Sequence, residues 1–443
     1  MRPLYHYAPA ANWLSDPNGL VFTKGEWHLF YQYNPHGEQW GHMSWGHAVS
    51  RDLATWDELP PALLEDDEHF IFSGSAVVDR ADVAGFGKGA LLAAYTGAAH
   101  DGSRQVQCLA YSNDDGRTWT KYVGNPVLDE GLADFRDPNI FWHPPSAQWI
   151  MVVALSAENL AAVYGSADLR HWTRLSTIGP HHGQGRLWEC PLLIELPVEG
   201  ETASRWLFKV DLLDDGPGSG VIGVIGSFDG VTFAAQGEWR LLDHGRDFYA
   251  AIAWHEPRDS AGRPAWIGWM GNHGYQAALP TRGWRGAMSL PRRLSLVRDD
   301  ADALQLRQEV EPAVVALFSQ VSDMGTGRHA IPLAARIDVT GDTWSLSIDD
   351  SQQGHGLRIE RAANRLTINR HGGISPAFDT AIDADIGSGS TIRLWLDGTT
   401  LEIDPGNGTR WISVQHLLVG STAECAFQAH EANRMTVATL PHC

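Results

Sequence analysis

A short segment that recurs four times constrains the fold more than any other feature of this sequence. Each copy has Ser, a variable residue and Asp, with an aromatic residue four or five positions after the Asp; the copies begin at Ser50, Ser112, Ser166 and Ser227. Their spacing of roughly 55–60 residues suits a unit of four β-strands with its loops. The Asp can accept hydrogen bonds from turn N–H groups, and the aromatic ring can fill the gap between neighbouring sheets. Four copies and a closing segment at residues 247–296 therefore predict a five-bladed β-propeller.

The residue pattern of the sequence changes after residue 296. Residues 1–296 contain short β-rich segments separated by Gly, Pro, Asn and Asp, which is typical of an all-β domain. Residues 297–320 are predicted to form a helical or irregular connector, and the regular alternation in residues 321–443 predicts a β-sandwich. Because tryptophans become sparser after residue 296, the chemistry is expected in the first domain.

The net charge of −20 argues against nucleic acid and anionic membranes as partners, because both require clustered cations. The 19 tryptophans favour a sugar ligand, whose C–H faces stack on aromatic rings. No apolar N-terminal segment resembles a signal peptide, so a cytoplasmic location is expected unless a leader was removed. The cysteines have no CxxC spacing and are expected to be free thiols; they are Cys108, Cys190, Cys425 and Cys443.

Three acids share one local pattern, namely a proline that follows the acid directly or after one residue. They are Asp16 in NWLSDPNGL, Asp137 in ADFRDPNIFW and Glu189 in GRLWECPLLIEL. Proline fixes φ and interrupts the strand ladder, which helps to aim a neighbouring side chain into a cavity. Glycoside hydrolysis usually requires two carboxylates, and the inner strands of a propeller would bring distant acids together. The pattern therefore favours a glycosidase.

The segments WLSDPNG, FRDP and WECP resemble the three signature motifs of glycoside hydrolase family 32, which includes invertases, inulinases and levanases. Other segments, among them HLFYQYNP, FSGSAVV and WRGAMSLPRRL, resemble the family in the same order, from Asn12 to about Leu296. The resemblance implies a five-bladed propeller with a C-terminal β-sandwich. It also implies a retaining β-fructofuranosidase, monomeric or homodimeric, that acts on sucrose or short fructans without a cofactor.

The resemblance assigns a role to each acid. Asp16 would be the nucleophile, Glu189 the general acid and then the general base, and Asp137 the residue that stabilises the transition state. The carboxyl groups of Asp16 and Glu189 should then lie about 5–5.5 Å apart. A partly apolar setting beside Trp188 and Cys190 is expected to keep the proton on Glu189.

The resemblance also extends to the substrate pocket. Arg136, the neighbour of Asp137, has an alternative structural role as the buried ion-pair partner of that acid, and core packing is an alternative role for Trp13, Tyr249 and Trp269. The pocket residues are Trp13, Ser15, Gln32, Trp40, Phe72, Ser73, Arg136, Cys190, Tyr249 and Trp269.

Two positions depart from the family pattern. Ser15 stands where Asn usually precedes the nucleophile, so one hydrogen bond to the sugar could be lost or bridged by water. This substitution leaves open the balance between hydrolysis and fructosyl transfer. Asp404 stands where an aromatic residue is common, which leaves the contribution of the sandwich to binding open.

Other functions fit less well. A sialidase, suggested by the match of the Ser112 segment to an Asp box, would need several arginines and a Tyr nucleophile. A non-catalytic sugar-binding propeller would have no use for the three acids. A fructosyltransferase would use the same site with a sugar acceptor. No metal site is expected, since the adjacent His181 and His182 would point in different directions.

Overall fold

The computed structural model describes residues 2–181, 187–213, 219–350, 355–387, 391–418, 420–429 and 433–441. His182 and Cys443 lie outside these ranges.

The predicted all-β class is confirmed, since strands dominate and the described helices are short. The described strands of the first part are β1 (Asn12–Thr23), β2 (Glu26–Asn34), β3 (Ser44–Ser50), β4 (Asp57–Leu63), β5 (His69–Asp79), β6 (Ala90–Ala99), β7 (Gln105–Ser112), β8 (Thr120–Lys121), β9 (Phe135–His143), β10 (Gln148–Leu155), β11 (Leu160–Ser166), β12 (Thr173–Ile178), β13 (Leu187–Pro197), β14 (Ser204–Leu213), β15 (Ser219–Phe228), β16 (Phe233–Ala235), β17 (Arg240–Leu241), β18 (Tyr249–Trp254), β19 (Ala265–Met270), β20 (Trp284–Arg285), β21 (Ala287–Met288), β22 (Arg292–Arg298) and β23 (Leu304–Val310).

These strands form five sheets that follow one another along the chain. The sheets begin with β1, β5, β9, β13 and β18, and β20 returns to pair in parallel with β1. Each of these first strands contacts the first strand of the next sheet, and β18 contacts β1. The sheets therefore close into a ring, which is the arrangement of a β-propeller.

The recurring Ser-x-Asp segments form the predicted turns. Ser50 Oγ accepts a hydrogen bond from the N–H of Leu53 at 2.8 Å, and Asp229 Oδ1 accepts one from the N–H of Thr232 at 2.7 Å. The aromatic residue of the second copy, Trp119, lies edge-on to Phe30 of the preceding sheet, with ring centroids 5.4 Å apart. Hydrogen bonding and inter-sheet packing thus both follow the pattern expected from the sequence.

The last part of the chain forms two six-stranded sheets with an apolar core between them. The segment before them contains the helix α1 (Pro312–Ala316), and a second short helix, α2 (Pro376–Asp379), lies within the sandwich. The predicted domain limits stay a prediction; β23 lies in the predicted connector and pairs along its length with β22. The strands are β24 (Gln320–Met324), β25 (Gly327–Pro332), β26 (Ala334–Thr340), β27 (Thr343–Asp349), β28 (Gly356–Ala362), β29 (Arg365–His371), β30 (Ile382–Asp385), β31 (Thr391–Asp397), β32 (Thr400–Asp404), β33 (Ile412–Gln415), β34 (Thr422–Ala429) and β35 (Arg434–Thr439).

Buried charged side chains connect the ring of five sheets to the β-sandwich. Arg292 of β22 contacts the carboxylates of Asp243 and Glu402, and all three side chains are almost fully buried. The ring of His6, in the segment before β1, lies 3.0 Å from Asp397 and 2.9 Å from Glu402. Charged groups in such a setting must be paired, so these contacts hold the sandwich in register against the propeller. Among the described residues, no helix combines the length and apolar character needed to cross a membrane.

Candidate active site

The first strand of each of the five sheets in the ring is interrupted by a β-bulge, in which two residues oppose a single residue of the next strand. A bulge bends its strand and re-aims side chains, and bulges are common beside active sites. The residue pairs that form the bulges are Ser15–Asp16, Phe72–Ser73, Asp137–Pro138, Cys190–Pro191 and Ala250–Ala251.

Three of these bulges contain a residue in a backbone conformation that is uncommon for L-residues. Asp137 has φ 65°, Cys190 has φ 46° and Ala250 has φ 53°, and the first two of these residues precede a proline. Such conformations cost roughly 1–3 kcal/mol each and persist where the surrounding structure enforces them. The proline pattern seen in the sequence therefore marks real breaks in the strand ladder.

The structure brings the three acids together around Cys190. Oδ2 of Asp16 accepts a hydrogen bond from Ser73 Oγ at 2.8 Å and lies 3.9 Å from Cys190 Sγ. The backbone N–H of Cys190 donates to Oδ2 of Asp137 at 2.8 Å. Cys190 directly follows Glu189, so residues from β1, β9 and β13 meet at one point.

The carboxylate of Glu189 is held by two donors. Arg136 Nε donates to Oε1 at 3.0 Å, and the hydroxyl of Tyr249 donates to Oε2 at 2.5 Å. Arg136 also donates from Nη1 to Asp134 at 2.8 Å. The alternative role given to Arg136 named Asp137 as its partner; the direct contacts of the guanidinium are to Glu189 and Asp134, and its charge also lowers the pKa of Asp137.

The surroundings of the three acids shift their pKa values in different directions. Burial and the charge of Glu189 raise the pKa of Asp16, and the same two causes raise the pKa of Asp137 to about 7. Burial alone would raise the pKa of Glu189, but Arg136, His273 and the Tyr249 hydroxyl together lower it. The apolar setting that was expected to keep the proton on Glu189 is therefore not what the structure provides, because Arg136 and Tyr249 stabilise its carboxylate.

Four predicted pocket residues are buried in the framework around the acids. Trp13 and Trp269 are buried, and their ring centroids lie 6.1 Å apart. Gln32 is buried as well, and its Nε2 donates to the carbonyl of Ile71 at 3.0 Å. Ser15 is buried in the bulge beside Asp16. These contacts position β1, β2 and β5 around the acids.

The aromatic rings of Trp40 and Phe72 lie on the solvent side of the three acids. Trp40 is 54% exposed, and its ring lies 6.1 Å from that of Phe72. Phe72 precedes Ser73, whose hydroxyl contacts the Asp16 carboxylate. An exposed ring at this place can meet a sugar that enters from solvent.

A buried charge pair that no sequence motif had indicated lies behind Glu189. Lys209 Nζ contacts the carboxylate of Asp211 and donates to the carbonyl of Cys190 at 3.0 Å, and both charged side chains are fully buried. Asp211 lies opposite Glu189 in the strand register, and burial raises its pKa to about 8. The signal was present in RWLFKVDLL, where two charges spaced two residues apart interrupt an apolar strand.

His273 was missed too, because it lies in a loop without a local motif. Its ring centroid is 4.9 Å from that of Tyr249 and 5.1 Å from that of Trp269. Its charge lowers the pKa of both Asp16 and Glu189. A cation at this position stabilises negative charge on the two acids.

Comparisons with known proteins agree with this arrangement. A levanase from Bacillus subtilis (strain 168) is 47% identical over 306 residues, which is 67% of this chain and 45% of the levanase. An extracellular exo-inulinase from Aspergillus niger is 37% identical over 387 residues, covering 76% of this chain and 72% of the inulinase. The name of the latter gives no support to the predicted cytoplasmic location.

The fold matches a solved structure along its whole length. The β-fructofuranosidase from Schwanniomyces occidentalis, complexed with fructosyl-erythritol, superposes with a TM-score of 0.89 at 28% identity, covering 99% of this chain and 97% of that one. Residues 6–309 match the profile described as the glycosyl hydrolases family 32 N-terminal domain. The chain therefore belongs to glycosyl hydrolase family 32, as its motifs predicted.

Proposed function

We propose that the protein is a retaining β-fructofuranosidase that releases terminal β-D-fructofuranosyl units from sucrose or short fructans. The observation that carries the proposal is the convergence of three acids from three separate sheets on the Cys190 bulge. The names of the relatives, a levanase, an exo-inulinase and a β-fructofuranosidase, support the same class of substrate. In this proposal the five sheets are the five blades of the propeller.

The reaction proceeds through two displacements. Asp16 attacks the anomeric carbon of the fructosyl unit while Glu189 donates a proton to the leaving oxygen, which gives a covalent fructosyl-enzyme and releases the rest of the substrate as the leaving sugar. Glu189 then takes a proton from water, and the resulting hydroxide displaces Asp16. A spacing of about 5–5.5 Å between the two carboxyl groups is expected for this mechanism. Asp137 accepts hydrogen bonds from fructose hydroxyls and stabilises the developing positive charge.

The surroundings of Glu189 place one demand on substrate binding. The acid Glu189 needs a proton, yet Arg136 and the Tyr249 hydroxyl lower its pKa. A leaving oxygen near Glu189 would accept this proton, and the Ser73 hydroxyl already stabilises the Asp16 carboxylate.

The roles are tested with Asp16→Asn and Glu189→Gln, which preserve shape and remove charge. Asp114→Asn is a matched control, because Asp114 accepts hydrogen bonds in a turn of the Ser-x-Asp repeat, away from the acids. We expect both site variants to fold and to lose nearly all fructose release from sucrose, whereas the control keeps its activity. Near-normal turnover in either site variant would refute the assignment. The configuration of the first-formed fructose, followed by NMR, tests retention.

The alternative of fructosyl transfer uses the same first displacement, with a sugar in place of water in the second. A time course of products from sucrose, inulin and levan separates the two outcomes. Free fructose without growth of oligosaccharides supports hydrolysis. Oligosaccharides that lengthen as sucrose is raised would instead establish transfer and direct attention to Ser15.

A further inference from the structure

A cluster of two histidines and one glutamate lies outside the acids of the proposed mechanism. His36 and His42 belong to the loop between β2 and β3, and Glu65 follows β4. One nitrogen or oxygen atom from each side chain lies within 4.8 Å of the others. We propose that these residues bind a zinc ion and thereby fasten the loop that carries Trp40.

The donor set suits zinc. Two imidazoles and one carboxylate are a recurrent zinc set, and they leave a fourth position for water. Calcium and magnesium prefer sites built from oxygen ligands. His36 and His42 are exposed, whereas Glu65 is half-buried, so an ion could enter from solvent without opening the fold.

The geometry is close to what tetrahedral binding requires. His42 Nδ1 and Glu65 Oε1 are already 2.6 Å apart, and the rings of His36 and His42 are nearly perpendicular at 88°, with centroids 5.1 Å apart. Ligand atoms about 2.1 Å from zinc stand roughly 3.4 Å from one another. His42 and Glu65 need to separate by less than about 1 Å, and His36 needs to approach by a little more.

The backbone around the cluster is held in place. The hydroxyl of Ser44 donates to the carbonyl of His42 at 3.1 Å and accepts from the N–H of Glu65 at 3.1 Å. Asn34 accepts from the N–H of His36 and donates to the loop carbonyl of Gln39, both at 2.8 Å. Two of the ligands are therefore tied to one buried serine, and the third to the start of the loop.

Trp40 lies between the two histidines in the loop and is 54% exposed beside Phe72. A metal ion that joins both ends of this loop to Glu65 would restrict the positions of the Trp40 ring. The effect on substrate rests on the proposed function, and zinc binding itself does not. We expect zinc to change KM for sucrose while kcat stays the same.

The test is calorimetric titration of the whole protein, stripped with EDTA, with zinc chloride. We expect one zinc ion per chain, and a loss of about tenfold or more in affinity for both His36→Gln and Glu65→Gln. The matched control is His171→Gln, because His171 also lies 2.6 Å from a carboxylate, that of Asp168, and is exposed. Melting temperatures in EDTA verify that the variants fold.

Four results would overturn the zinc site. Three of them are an absence of binding to the unaltered protein, unchanged affinity in His36→Gln, and equal losses in the His171→Gln control. The fourth is binding that disappears only when a cysteine is replaced, which would place the ion elsewhere. If zinc binds as expected but sucrose is not cleaved, the proposed function fails and the metal site stands.

Discussion

The hydroxyl of Tyr249 offers the sharpest test of how Glu189 is tuned. It donates to Glu189 Oε2 at 2.5 Å, and Tyr249 is fully buried while only 17% of the Glu189 side chain is exposed. A hydrogen bond to a charged group contributes about 1.5–3 kcal/mol. Tyr249→Phe removes this stabilisation of the carboxylate and leaves the ring in place, so the pKa of Glu189 rises.

The change should appear in the pH dependence of kcat/KM for sucrose. The alkaline limb reports loss of the proton from the general acid, and each 1.36 kcal/mol corresponds to one pH unit. We therefore expect this limb to move to higher pH by roughly 1 unit or more. The acids titrate together, so the limb is an apparent value of the cluster.

The matched control is Tyr7→Phe. Tyr7 belongs to the same buried cluster, but its hydroxyl donates to the Tyr31 hydroxyl at 2.8 Å instead of to a carboxylate. This variant should leave both limbs of the profile in place. An unmoved alkaline limb in Tyr249→Phe, or an equal displacement in the control, would refute the idea that this phenol holds Glu189 ionised.

Three further predictions concern Ser73, the buried pair of Lys209 and Asp211, and His6. Ser73→Ala removes a hydrogen bond that lowers the pKa of Asp16, so the acid limb of kcat/KM should move to higher pH in rate measurements; an unmoved limb would contradict this. Lys209→Met leaves the Asp211 carboxylate buried and unpaired and should cost about 3–5 kcal/mol in chemical denaturation, whereas adding Asp211→Leu should recover most of it. For His6, burial lowers the pKa but two carboxylates raise it to about 9, above its ordinary 6.5. Its contribution of about 3 kcal/mol to the free energy of unfolding is thus complete below pH 6.5 and lost as the pH rises through 9. Chemical denaturation at several pH values would detect this loss. The same loss of stability with pH in His6→Gln would contradict the prediction.

Much of the framework was predictable because it depends on local interactions. The Ser-x-Asp segments act within a few residues, so their turns could be inferred from the sequence alone. Proline after Asp137 and after Cys190 likewise marks breaks in the ladder that the structure places at bulges. The bulges at Phe72 and Ala250 contain no proline, and the sequence carried no comparable signal for them.

The sequence by itself determined the all-β class, the repeat and the three acids, because these depend on residue type and short spacing. Only the tertiary structure decided that Arg136 pairs with Glu189, that Lys209 and Asp211 lie behind that acid, and that His273 acts on it. The pKa of a carboxyl group depends on burial and on every nearby charge, and here those charges come from strands and loops far apart in the chain. For that reason the sequence identified Glu189 but could not show the charges that lower its pKa.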